Sequence, residues 1–131
     1  MKGQISVEML IVVGLGMLIV SIYILYGYAS IDSYKKGNDQ FLLKDSLEKI
    51  ATTAKFVALQ GEPAKQTVNV CFPMSLETCS VYNTTLQCSL RTGEYIYQDS
   101  EVVLNGTMPG ISGCWNIVVE ANPAFVNLSI S

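Results

Sequence analysis

Histidine is absent from the 131 residues, and positive charge is scarce: Lys and Arg number 8 against 11 Asp and Glu, a net charge of −3. The first absence removes the commonest general base and the commonest zinc ligand. The second leaves only Arg91 and scattered lysines, with no basic patch for a phosphate backbone, so no nucleic-acid partner is expected. The four cysteines, Cys71, Cys79, Cys88 and Cys114, show no CxxC spacing, which argues against a zinc site. Acidic residues are sparse in the second half, and no two of them stand out as an acid–base couple. Ser-x-x-Lys, Gly-x-Ser-x-Gly and P-loop patterns are also missing. The chain is therefore read as not an enzyme, with no catalytic residue, metal site or cofactor. Asp99 and Glu101 bracket a turn and read as a solvated hairpin end.

What the chain has in abundance is apolar surface at one end. Residues 4–30 hold one charged side chain, Glu8, ahead of a run that reaches Ala29. Such a run is long enough to span a bilayer, which needs about 20 apolar residues in helical form. Leu10, Ile11, Val12, Val13, Leu15, Met17, Leu18, Ile19, Val20, Ile22, Ile24 and Leu25 leave no polar face. A helix that is apolar all round belongs in lipid or in a large core, and a chain of this size cannot supply that core. Gly14 and Gly16 are small spots where a neighbouring helix can come close, or glycines merely tolerated in a membrane helix. Tyr23, Tyr26 and Tyr28 mark the far end in the manner of an interfacial aromatic belt. The run is long for a secretory signal core and is preceded by the polar residues Gln4, Ser6 and Glu8, which a simple export signal does not need. Glu8 has two readings. It complements the helix N-terminus at headgroup level, or it pairs with a positive charge from another chain.

Beyond a polar stretch, 32–38, in which Gly37-Asn38 is a candidate kink or local melt, a helical period resumes. Leu43, Leu47, Ile50, Ala54 and Val57 are spaced 4-3-4-3 and draw one apolar stripe, with Lys44, Asp45, Glu48, Lys49 and Lys55 off it. Gly61-Glu62-Pro63 ends the pattern. One helix of about 55 residues is predicted, near 80 Å if straight, and its amphipathic half must be covered by residues 64–131.

After Pro63 the period becomes two. Alternation at 67–72, 79–82, 85–90, 95–98, 102–104, 114–120 and 125–130, punctuated by turn residues, predicts an antiparallel meander or small sandwich. The fold class is α+β. Tyr82, Tyr95 and Tyr97 form a sticky outer face or fill cross-strand pairs such as Tyr97 with Val102. If Asn83-Thr84 is a two-residue turn, Cys79 falls opposite Cys88 in a non-hydrogen-bonded pair, which leaves Cys71 to Cys114. The alternative is four buried free thiols; an even count beyond a membrane segment favours two disulfides. Three Asn-x-Ser/Thr sequons begin at Asn83, Asn105 and Asn127; the first two sit at predicted turns and the third in a strand. All three lie in the second half, as expected of an exported head.

Lys2-Gly3-Gln4-Ile5-Ser6-Val7-Glu8, followed at once by the apolar run, resembles the class III signal sequence of archaeal type IV pilins. The motif covers residues 2–8. The likeness of layout, a long N-terminal helix followed by a β-rich head in lollipop form, extends over the whole chain. In that family a membrane-embedded aspartic prepilin peptidase cuts after the glycine. The resemblance thus implies a leader of residues 1–3, a cut between Gly3 and Gln4, and a retained helix. Residues 4–30 become a membrane or filament-core helix, 31–61 its amphipathic continuation, and 62–131 a disulfide-containing extracellular head. It also implies that Glu8 pairs with the Gln4 amine of a neighbouring subunit. The implied partners are identical or sister pilins, the peptidase, an assembly ATPase and a membrane platform protein. The implied location is the cell membrane before assembly and a surface filament afterwards, serving adhesion or surface attachment. The alternatives are a membrane-anchored extracellular binding protein that does not polymerise, and a minor pilin or pseudopilin.

Overall fold

No proline interrupts the first 60 residues, and in the computed structural model residues 2–60 form a single helix. The structure describes residues 2–131; Met1, the first residue of the expected leader, lies outside the described residues. Helix α1 runs Lys2–Gln60. It runs without interruption through Gly37-Asn38, the candidate kink or local melt. One interior glycine costs a helix only about 1 kcal/mol relative to alanine, too little to end it. The chain's internal contacts nonetheless divide at that point, into Met1–Gly37 and Asn38–Ser131. Each unit is described by itself.

In the first unit the described side chains are exposed, apart from half-buried Gly27. Two of its serines bond back along the helix: Ser21 Oγ donates to Met17 O at 2.8 Å and Ser33 Oγ to Ala29 O at 3.2 Å. Such back-bonding lets serine sit in an apolar helix without an unmet donor.

In the second unit, the remainder of α1 packs on two sheets. The chain continues as β1 (Lys65–Phe72), β2 (Leu76–Tyr82), β3 (Thr85–Leu90), β4 (Tyr95–Asp99), β5 (Leu104–Gly106), β6 (Gly113–Ala121) and β7 (Val126–Ile130). Strands β2, β3 and β4 form a three-stranded meander, and the other sheet has the order β1-β6-β7-β5. The helix ends where the glycine stands. Gly61 adopts φ +75°, and its N–H donates to Val57 O and Ala58 O, each at 3.2 Å, closing the last turn.

The core is a three-way junction. Leu43, Leu47, Ile50, Ala54 and Val57 of the helix stripe are all fully buried. They meet Val70, Phe72, Ile117, Val119, Val126 and Leu128 of one sheet and Leu76, Leu86, Cys88 and Leu90 of the other. Covering the two leucines, the isoleucine and the valine of that stripe contributes about 6–12 kcal/mol, at roughly 1.5–3 kcal/mol each.

Two predicted features are corrected. The head is not purely antiparallel, because β5 pairs with β7 in parallel. The order explains why: β6 leaves a gap beside β5, and β7, returning antiparallel to β6, fills it. The predicted pair Tyr97–Val102 does not form. Tyr97 lies opposite Gln87, and Val102 belongs to the bend after β4. The chain leaves the meander there: Ser100 N–H donates to Thr84 O, Leu104 N–H to Asn83 O, and β5 then joins the other sheet. Tyr95 and Tyr97 stay exposed and stacked, ring centroids 6.5 Å apart.

Half-buried Trp115 packs against the core and is the single tryptophan, so its fluorescence reports on the head. Leu47→Ala should destabilise the head by about 2–5 kcal/mol, read as a lowered urea midpoint of Trp115 emission in the detergent-solubilised chain. Phe41→Ala, on the same helix but 73% exposed, should move it by no more than about 0.5 kcal/mol.

Candidate functional site

The residues singled out from sequence fall into two groups. The first lies on α1. Gly3, Gln4 and Glu8 are helical and exposed. The Gly3–Gln4 bond sits in the first turn, which contains no acidic residue to stabilise it. The first amides of a helix lack intrahelical partners, so this turn frays at little cost. Glu8 lies one turn further along and is exposed. Gln4 and Glu8 are one turn apart on one face. Downstream, across residues 9–28, exposure of the large apolar side chains runs from 49% at Val13 to 77% at Tyr26. The window is long and apolar enough to cross a membrane, and none of it is buried.

The second group is in the head. Cys79 and Cys88 are register partners across β2 and β3 and form a disulfide. Cys71 and Cys114 are register partners across β1 and β6 and form the other. Asn83 is exposed at the β2–β3 turn with φ 51°, a left-handed conformation that asparagine accepts readily. Asn105 and Asn127 come together as register partners on β5 and β7. Asp99 and Glu101 are surface ties: Asp99 accepts from Thr85 Oγ1 at 3.0 Å, and Glu101 pairs with Lys55 at 2.7 Å. That ion pair is solvent-exposed and contributes at most about 1 kcal/mol.

Polar side chains that the sequence reading passed over hold the helix to the head. Ser46 is buried and donates to Cys71 O at 2.7 Å, which binds the helix to the strand carrying a disulfide. Its position three residues after Leu43 and four before Ile50 was the available signal. Ser75 Oγ donates to Asp39 Oδ2 at 2.7 Å, and Gln40 donates to Glu94. No local pattern marks those two.

Chemically, the described residues include no group of three metal-binding side chains. Two depressions of the head are open and lined by mixed side chains: Ala58, Glu62, Val103 and Phe125 border one, Glu48, Thr52, Gln66 and Asn69 another. Comparison with protein-family models, curated proteins and solved structures finds nothing that matches this chain.

The two disulfides close loops of different length, with sequence separations of 43 and 9. On the chain-entropy account, replacing Cys71 and Cys114 together by alanine should cost about 4 kcal/mol, against about 2.6 kcal/mol for the shorter loop. Equilibrium urea unfolding followed by Trp115 emission measures both, and equal losses would contradict the loop-length account.

Proposed function

We propose that this chain is a pilin: a structural subunit of an archaeal type IV pilus-like surface filament that serves attachment. The observation that carries the reading is the exposed helix with apolar side chains on every face, preceded by Gly3-Gln4-Ile5-Ser6-Val7-Glu8. The subunit first sits in the cell membrane with its head outside. A prepilin peptidase removes residues 1–3, and an assembly ATPase working through a membrane platform moves the helix from lipid into a bundle of identical or sister helices. Lipid is as apolar as leucine, so the hydrophobic effect barely distinguishes the two surroundings. Shape at Gly14 and Gly16, and the pairing of Glu8 with a neighbour's Gln4 amine, then set the register. The head, tied by two disulfides, faces the medium and suits an oxidising exterior.

N-terminal sequencing of the protein from its host should begin at Gln4. Gly3→Val should leave Met1 attached and abolish surface filaments seen by electron microscopy. Unprocessed wild-type chains that remain single in the membrane would instead identify an anchored binding protein. Glu8→Ala should still be cut before Gln4 but yield far fewer filaments. Wild-type filament yield from that variant would overturn the pairing.

A further inference from the structure

The outer face of the four-stranded sheet carries one row of partners in register: Lys65 on β1, Glu120 on β6, Asn127 on β7 and Asn105 on β5. Their strand neighbours Leu104, Val126, Leu128 and Ala121 are buried, so by the two-residue alternation this row faces outward. Two of its members are sequon asparagines on adjacent strands, whose spacing is about 4.8 Å. A substituted pyranose ring is wider than that. We propose that Asn105 and Asn127 form a single attachment site for one N-linked glycan, taken by Asn105, with Asn127 left bare while Asn105 is occupied. This rests on the export of the head.

The environments of the two asparagines differ. Asn105 is exposed on the edge strand β5. Its Oδ1 accepts the Gly106 N–H at 2.8 Å, a contact that does not use Nδ2, the atom to which a sugar is joined. Asn127 is half-buried on an inner strand, with Glu120 on one side and Asn105 on the other. The two sequons are also locked together. Thr107 N–H donates to Leu128 O at 3.1 Å, and a Cβ at Gly106, whose φ is +117°, would run into the Leu128 backbone. The strands therefore cannot part to make room without losing β5. The donor is a lipid-linked glycosyl phosphate presented to a membrane transferase. Its anomeric C–O bond breaks, Nδ2 forms the new C–N bond, the lipid phosphate departs with the electron pair, and the amide proton passes to the transferase.

The sequence supplies its own assay. No Lys or Arg lies within residues 92–131, so trypsin leaves that segment uncut with both sequons on one peptide, while Asn83 falls in the peptide of residues 66–91. Full-length protein from its host is reduced, digested and analysed by mass spectrometry with fragmentation that preserves the glycan. The 92–131 peptide should carry one glycan, mapped to Asn105. In Asn105→Gln, and in Thr107→Ala, which removes the sequon but keeps the asparagine, it should still carry one, now on Asn127. Two glycans on one wild-type peptide, a wild-type glycan on Asn127, or no transfer to Asn127 in either variant overturns the proposal. A bare 92–131 peptide also overturns it. Glycan on Asn83 in that case confines the failure to this site, and a bare Asn83 extends it to the export reading.

Discussion

Twelve large apolar side chains between Leu10 and Leu25 stand on every face of one helical segment, all close to half exposed or more. Covering them is worth about 18–36 kcal/mol at roughly 1.5–3 kcal/mol per side chain. A folded domain has a net stability of only about 5–15 kcal/mol. No property of the head can offset leaving that surface in water. The segment must be covered by lipid or by other protein, and this demand comes before anything the head does. Lipid and packed apolar side chains offer nearly the same apolar cover. Glu8 is the charged residue within 4–30, and Gly14, Gly16 and Gly27 are the smallest residues of the apolar stretch.

The head solves a different problem. Residues 38–131 must bury one helical stripe with a modest number of side chains, and they do so by bringing two sheets to the same stripe. The meander β2-β3-β4 would be marginal alone, as small sheets are. Cys88 links both roles, since its side chain lies in the core and its sulfur closes the β2–β3 pair. The other disulfide joins the first strand of the larger sheet to β6, and Ser46 donates to the carbonyl of Cys71 at one end of it. Helix, strand and cross-link therefore hold one another at a single place. A domain of this size relies on such ties because its burial per residue is limited.

How much of this could be read beforehand follows the range of the interactions. The 4-3-4-3 spacing from Leu43 to Val57 was enough to identify every stripe residue as core, because helical period is a local property. The register of Cys79 with Cys88 followed from a two-residue turn for the same reason. Strand order is not local. Nothing between Ser100 and Leu104 announces that the chain crosses to the other sheet, so a hairpin onto β4 was the simpler expectation, and Tyr97 was given Val102 as a partner in place of Gln87. The parallel pairing of β5 with β7 depends on where β6 runs, which no window of sequence contains. For the α1 residues the limit is of another kind. Gly3, Gln4 and Glu8 were legible as a motif, but what an exposed helix touches is decided by molecules outside its own chain.

Burial along α1 sharpens that limit into an argument about labour. Sustained burial begins at Asp39 and Gln40, where side chains bond Ser75 and Glu94, and continues through the stripe to Val57. Upstream, residues 3–26 are exposed on all sides. Sequence composition changes along the helix in the same sense: charge is almost absent before Ile31 and frequent from Asp32 onward. A helix needed only to anchor the head could stop at the width of a bilayer, about 20 residues. This one continues, unbroken and with an amphipathic stripe, for a further 30 residues. From Asn38 onward the helix belongs to the second unit and supplies the buried stripe of the head's core.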